Sequence, residues 1–493
     1  MRTVRGRTDR VVVVGAGLAG LSSALHLAGA GRQVTVLERD PIPGGRAGRV
    51  VDSGYTFDNG PTVLTMPGLL QQALGSVGES LSDWLDLIPL DPIYRTYYPD
   101  GSRLDVHSDT DRMAAEISRV CGPAEADGYR RYVDYLTRLY QVEFTDFIDR
   151  NIDRPWDLIT PNLFRLIAMG GFFRLDRKVR RYLHDPRTVR ALSFQAMYAG
   201  VSPLKAMALY GVISYMDSVA GVSVPRGGMH EIPVAMAGAA VKHGVDIRYG
   251  SEVTAIEHDG SRASAVLTAD GSRIPADVVV VNADLPVAYR DLLGAEPWSV
   301  RRLKYSPSAF VMLVGSSAHY PQIAHHNIHF GRSWRGTFEQ IIDRGELMSD
   351  PSFMVTNLSH GDPSLAPPGR NSYYILFPTP NATADIDWRR ETPRYREHVL
   401  QTLSAAGYRG FAESIEVEHI TTPLEWQERG LAAGAPFAAA HTFVQTGPFR
   451  PGNLWGDNVV FTGSNTQPGV GVPMVLVSGR LAAQRITGAP APR

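Results

Sequence analysis

The chain has 493 residues, 44% of them hydrophobic, and a formal charge of −1; that is enough material for two or three lobes and gives no electrostatic case for binding nucleic acid. Its single cysteine, Cys121, excludes internal disulfides, cysteine-based zinc sites and dithiol redox chemistry, and suits a reducing cytoplasm. No stretch approaches the roughly 18 apolar residues of a spanning helix, so the chain is expected to be soluble or to lie on a membrane.

Residues 1–10 are basic, but the apolar run after them is too short for a secretory signal and reads as a first strand. Residues 11–20 are Val-Val-Val-Val-Gly-Ala-Gly-Leu-Ala-Gly. Four β-branched residues predict a buried strand. Gly15, Gly17 and Gly20 then form G-x-G-x-x-G, and Leu18, Leu21 and Leu25 carry a helical stripe onward. The first glycine allows a tight turn, the second lets backbone approach a pyrophosphate, and the third packs helix on strand. The anion would sit at the helix N-terminus, where free N–H groups and the dipole favour it. A second strand over residues 33–38 ends on Glu38, about 20 residues after the glycines, where a carboxylate accepts ribose hydroxyls. The pattern predicts a dinucleotide site. Gly44-Gly45-Arg46 follows closely. Its glycines permit close approach to the nucleotide, and Arg46 offers a planar fork to a phosphate. A nicotinamide dehydrogenase has no need of this extension, whereas FAD oxidoreductases of the amine-oxidase type use it.

Further along, residues 49–57 read as one β segment, followed by Asn59-Gly60-Pro61-Thr62 and a helix at 67–75. Pro99-Asp100-Gly101 marks a hairpin between strands at 93–98 and 103–107. Residues 109–225 are mainly helical, and Pro225-Arg226-Gly227-Gly228-Met229 opens another helix. Strands are predicted at 245–249, 252–258, 263–268 and 278–282, with Asp-Gly turns between. Residues 301–445 form a mixed insertion; 458–462 is a strand that Gly463 breaks, and 475–486 is a helix. The fold class is therefore α/β. A discontinuous Rossmann-like nucleotide domain (1–75, 225–300, 451–493) holds an inserted α+β substrate domain (76–224, 301–450).

These segments resemble the bacterial-type phytoene desaturases, within the carotenoid desaturase and flavin amine-oxidase superfamily. Besides the glycine motif, the resemblance rests on Gly44-Gly45-Arg46, Gly60-Pro61-Thr62, Pro225-Arg226-Gly227-Gly228-Met229, His325-His326-Asn327-Ile328 and the segment from Asp362 to Gly369. It also rests on the C-terminal Gly463-Ser464-Asn465-Thr466-Gln467-Pro468-Gly469-Val470-Gly471-Val472-Pro473. The resemblance implies a flavin amine-oxidase (GR2-like) architecture, FAD, and a carotenoid-type polyene such as phytoene, dehydrogenated stepwise toward lycopene in carotenoid biosynthesis. It implies cofactor contacts from Gly15, Gly17, Gly20, Glu38, Gly45, Arg46, Gly60, Pro61, Thr62, Val253, Gly463, Ser464, Gly471, Val472 and Met474. Many relatives place an acid where this chain has Ser464, so that contact is weaker or is made by backbone. A helix opening near Pro473 would aim its positive end at the flavin pyrimidine. Carotenoid isomerases, ketolases and later-stage desaturases share most of these motifs. More remote rivals are a flavin amine oxidase and a prenyl-lipid carrier with no activity.

Desaturation removes a hydride and a proton from adjacent carbons, so a base is needed in an apolar setting that raises a carboxylate's pKa. Asp157 and Asp217 are the candidates, each with a competing reading as a helix cap or arginine partner. His325, His326 and His329 lack the spacing of a metal site, and no metal is expected. Residues 162–181 combine Leu163, Phe164, Leu166, Ile167, Met169, Phe172, Phe173 and Leu175 with Arg165, Arg174, Arg177, Lys178, Arg180 and Arg181. That composition suits either an interfacial helix on anionic lipid, hinged at Gly170-Gly171, or a buried helix with a solvated basic end. The expected setting is cytoplasmic and peripheral to a membrane, with a quinone or oxygen taking electrons from the flavin.

Overall fold

The valine run becomes the centre of a sheet. In the computed structural model, which describes residues 1–489, strand Arg10–Val14 lies between Gln33–Leu37 and Val278–Val281, parallel to both. Asp246–Arg248 extends the sheet beyond Gln33–Leu37; Val459–Phe461 and the antiparallel Leu454–Trp455 extend it beyond Val278–Val281. Parallel strands are covered on both faces, which is why they read as unbroken valine rather than as an alternation. Val11, Val13, Val34, Val36, Val278 and Val280 face a layer that includes Leu21 and Leu25 of helix Leu18–Gly29, Met236 of Glu231–Lys242 and Leu481 of Val472–Thr487. Val12, Val14, Val279 and Val281 face the opposite way, onto the meander Val253–Asp259, Arg262–Thr268 and Arg273–Pro275. The sheet grows in opposite directions from Arg10–Val14. That reversal opens a crevice at the carboxyl ends of the central strands, the usual place for a ligand in such sheets.

The second layer is a seven-stranded sheet whose spine is the antiparallel pair Ser308–Ser316 and Asn371–Thr379. Alternation gives it two faces. Phe310, Met312, Val314, Tyr373 and Phe377 pack on Trp388, Tyr395, Val399 and Leu403 of helix Trp388–Ala405. Ala309, Val311, Tyr374 and Leu376 look the other way and line the cavity described below. Helices Pro123–Glu143 and Gly211–Ser218 close that cavity from above. Tyr140 and Tyr215 stack between them at 4.5 Å.

The predicted hairpin at Pro99–Gly101 forms, between Tyr94–Tyr97 and Arg103–Val106. Three predictions differ from the structure. Residues 49–57 are not one strand but a hairpin, Arg49–Asp52 and Tyr55–Asp58, turned at Ser53 and Gly54, both with positive φ. Residues 109–225 end in a strand, Val222–Pro225, which pairs with Leu64–Thr65 and Leu87–Pro89 and so ties the helical region to the nucleotide side. The last helix starts at Val472, earlier than its apolar stripe suggests, because Pro473 is tolerated in a first turn where its missing N–H has no intrahelical partner. Residues 490–493 of the predicted C-terminal segment lie outside the described residues.

Candidate functional site

Several chain segments meet at the crevice. Gly15 donates its N–H to the Leu37 carbonyl at 2.8 Å, closing the turn. Gly17 bridges to Gly44. A Cβ on Gly17 would stand 2.6 Å from Asn282 Oδ1, and one on Gly20 would stand 2.1 Å from the Gly15 carbonyl oxygen. Both glycines are therefore close-packing positions, Gly17 against Asn282 at the wall of the cavity and Gly20 beneath it. A Cβ on Gly60 would fall 1.8 Å from the Arg46 carbonyl oxygen, so Gly60 is a packing position too. The Glu38 carboxylate is buried, accepts the N–H of Ala16 at 2.6 Å and of Asp40 at 3.0 Å, and has its pKa raised by burial. Each of its oxygens keeps a lone pair for a further donor.

Of the residues assigned to the cofactor by resemblance, Gly15, Gly17, Glu38, Gly45, Arg46, Gly60, Pro61, Thr62, Val253, Gly463, Ser464, Gly471, Val472 and Met474 all line one cavity; Gly20 does not. Arg46 also has partners within the protein. Its guanidinium donates to the Pro436 carbonyl at 2.8 Å and to Ser464 Oγ. Burial lowers its pKa, and Asp284 supplies the opposing charge. In this structure the fork of Arg46 thus joins three remote segments. Asp284 in turn accepts from Ala432 N at 2.8 Å and from Asn465 Nδ2. An acid therefore does stand beside this loop, contributed by the segment after strand Val278–Val281 rather than by position 464.

Sequence reasoning did not reach Asn282 or Asp284. Asn282 follows strand Val278–Val281; its backbone N–H donates to the Val14 carbonyl at 2.8 Å and its Nδ2 to the Thr462 carbonyl at 3.1 Å. It borders Gly15, Gly17, Gly20 and Gly463 at once. The available signal was its place: the residue just past a valine strand beside the first strand stands at the crevice.

The cavity measures about 1450 Å³, above the ~300–1,000 Å³ of an ordinary small-ligand pocket. It continues from the crevice into a tunnel walled by Phe194, Phe330, Trp334, Phe338, Leu163 and Leu166, among others. Its rim carries exposed apolar side chains. Phe172, Phe443 and Phe449 line the cavity and are exposed, and Phe164 (62% exposed), Ile167, Phe173 and Val444 (69%) are exposed near them in the chain. Phe172 and Phe443 meet edge-on at 6.5 Å, and Phe443 lies 6.0 Å from Phe449. The segment at 162–181 is a helix, Pro161–Ala168, broken at Gly170 and resumed at Leu175–Val179. Lys178 does not join its basic face. It is buried, donates to the Met169 carbonyl at 2.8 Å and lies over the Tyr135 ring. No helix among the described residues is long and apolar enough to cross a membrane.

The two candidate acids part company. Asp217 lines the tunnel and accepts from Ser218 Oγ at 2.5 Å, and burial pushes its pKa up to about 7. Around it Ser218 Oγ and the Tyr94 hydroxyl lie 3.0 Å apart, and Gln195 Nε2 donates to that hydroxyl at 3.0 Å. Asp157 caps the short turn Pro155–Leu158. It accepts the N–H groups of Asp153 and Arg154, each at 3.0 Å, which hold its pKa low, and it does not line the cavity. Glu143, which sequence reasoning passed over, does line it. The three histidines diverge: His325 toward the Thr62 carbonyl, His326 toward Thr356 and His329 toward Tyr408, the last two with pKa pushed down to about 3 by burial.

The family model described as flavin containing amine oxidoreductase matches residues 18–487. A phytoene dehydrogenase of Streptomyces griseus is 51% identical over 99% of this chain and 97% of its own length. A zeta-carotene-forming phytoene desaturase of Myxococcus xanthus is 36% identical over 97% of this chain and 93% of its own. Among solved structures, an oxidoreductase from Methanosarcina mazei superposes with a TM-score of 0.61 at 17% identity, covering 96% of this chain and 99% of that one, a likeness of fold. With the family model matched from the first glycine helix to the last, and close relatives aligned along their length, the chain belongs to the flavin containing amine oxidoreductases, in their phytoene desaturase branch.

Proposed function

We propose that this protein is an FAD-dependent carotenoid desaturase that dehydrogenates phytoene stepwise toward lycopene while docked on a membrane surface. One observation carries the reading: a single cavity runs from the glycine crevice into an apolar tunnel with an apolar rim. The residues fit a dinucleotide, because at Gly45 a Cβ would meet only the Gly17 Cα, 3.6 Å away, and would otherwise stand in the cavity, and the buried Glu38 carboxylate retains accepting capacity for ribose hydroxyls. The relatives' activities on phytoene point to the substrate.

When bound, FAD supplies the acceptor for the hydride taken from one substrate carbon. The chain supplies the rest. Asp217 takes the proton from the adjacent carbon, and the electron pair of that C–H bond becomes the new C=C. With a pKa of about 7, its carboxylate is about half ionised near neutral pH, the range in which a general base works best. The aromatic walls exclude water from the developing cation. The electrons would leave to a quinone or oxygen.

Docking follows from energetics. Burial from water is worth ~0.8 kcal/mol per CH₂, but a polyene dissolved in lipid is already dry, so the tunnel gains little by transfer and must open where the substrate is. The exposed aromatic rim, with Arg154, Arg165, Arg174, Arg177 and Arg181 exposed nearby in sequence, suits anionic lipid. Incubating FAD-loaded protein with phytoene in liposomes and extracting the products tests the reading. Products with longer conjugation are expected; unchanged phytoene beside turnover of another carotene would move the activity elsewhere in the family.

A further inference from the structure

Most buried acids of this protein are satisfied. Asp58 accepts from Met229 N and His230 N, Glu125 from His184 N, Asp185 N and Thr188, and Glu38 from Ala16 N and Asp40 N. Glu143 is the exception. It ends helix Pro123–Glu143, is 3% exposed, lines the cavity, and its buried Oε1 has no hydrogen-bond partner among the described residues. Burial with no opposing charge raises its pKa well above the carboxylate range, so it stands as a neutral acid with a hydroxyl to donate.

A second unsatisfied group shares this stretch of wall. The His441 ring lies 5.7 Å from Tyr210, and its Nε2 is buried without a partner. Burial and the nearby Arg450 keep that ring neutral. Tyr210 donates to Thr446 Oγ1 at 2.8 Å and lies near Glu143. Tyr210, His441 and Thr446 all line the same cavity as Glu143. From Glu143 the chain runs on through Phe147, Ile148, Pro155 and Leu158, further wall residues, to the exposed Trp156 and Ile159. An unmade hydrogen bond in an apolar wall is costly, and a hydrocarbon has no atom to make it.

We propose that Glu143 is a binding residue for a neutral oxygen-bearing ligand, donating a hydrogen bond from its carboxyl group to a carbonyl-type oxygen of a lipid-soluble molecule inside the cavity. The inference rests on reading the cavity as a tunnel for lipid-soluble ligands beside a flavin. Two sources share this chemistry: a quinone that collects electrons, and a polyene with an oxygenated end.

Infrared difference spectra of the FAD-loaded protein in liposomes test it with three probes: a decyl-substituted benzoquinone, a keto-bearing carotene, and phytoene. The band of a protonated carboxylic acid should move to lower wavenumber with one of the first two and stay in place with phytoene. That shift should persist in Asp217→Asn and vanish in Glu143→Gln. Glu143→Leu should bind the active probe about tenfold more weakly, the scale of one lost hydrogen bond, and bind phytoene as the wild type does. The probe that moves the band identifies the source. A band moved by neither oxygen-bearing probe, or Glu143→Leu binding both like the wild type, would overturn the proposal. If the Glu143 variants do not fold, the wild-type and Asp217→Asn spectra decide it alone. Failure to turn over phytoene beside an intact band shift would sink the desaturase reading and leave this site standing.

Discussion

The nucleotide crevice and the tunnel occupy one cavity and are built in opposite ways. The crevice is shaped by what is missing: at Gly17 and Gly20 a single Cβ would strike Asn282 or the Gly15 carbonyl. The tunnel is shaped by what is present, large side chains drawn from alternate positions of a seven-stranded sheet and from the helices above it. Backbone constraints tolerate no substitute, whereas side-chain volume can be redistributed among neighbours. A substitution in the crevice should therefore act as a switch, and one in the tunnel or at its rim as a dial.

The largest effect tests the switch. Gly17→Val should abolish cofactor retention, read as the flavin-to-protein ratio after desalting; a variant retaining stoichiometric FAD would contradict a backbone-shaped crevice. Next comes the one polar group of the tunnel assigned to chemistry. Asp217→Asn should keep flavin and lower kcat by roughly 10²–10⁴-fold, the span of general-base catalysis. The wild-type rate should climb as pH rises through about 7, because the raised pKa leaves the base protonated below that value. The variant's profile should be flat there, and an unchanged profile would remove Asp217 from the reaction.

At the rim, Phe164→Ser, Phe173→Ser and Val444→Ser together should weaken liposome binding by about tenfold or more, since each apolar side chain contributes up to ~1.5–3 kcal/mol when fully buried, while flavin content stays the same. Leu163 is left intact in that variant because it lines the cavity. Equal co-sedimentation with vesicles would dismiss the docking surface. The smallest effect belongs to Asp157→Asn, which loses a capping carboxylate outside the cavity: stability should fall by about 0.5–2 kcal/mol with the rate per folded enzyme unchanged. A large fall in that rate would bring Asp157 back as a chemical group.

The same contrast explains what could be read from the chain. The turn at Gly15 and Gly17, the strand ending at Glu38 and the hairpin at Pro99–Gly101 are local, and local spacing encodes them. The bond from Arg46 to Ser464 is not legible in the chain because its partner lies 418 residues downstream. Asn282 and Asp284 show their use only when strand Val278–Val281 is placed beside Arg10–Val14. The rim was half visible: residues 162–181 carry a recognisable pattern, but Phe443, Val444 and Phe449 are scattered in a loop and join it only in space. Lys178 reads as part of the basic face because sequence does not show that Tyr135 lies beneath it. Glu143 was passed over because one acid at the end of an otherwise ordinary helix is unremarkable until its surroundings are known to be dry.

The order of strands in the central sheet has a consequence for biogenesis. Val278–Val281 is flanked on one side by Arg10–Val14 and on the other by Val459–Phe461, so its second neighbour leaves the ribosome only after the whole of the later insertion has been made. During that interval a fully apolar strand presents an open edge, the kind of surface that invites mispairing between nascent chains. The loop at Gly463 arrives just behind the strand that covers this edge. A chain halted before that point would expose its most adhesive strand and lack the last wall of the cofactor site, so yellow colour in a preparation would also report that synthesis ran to the end.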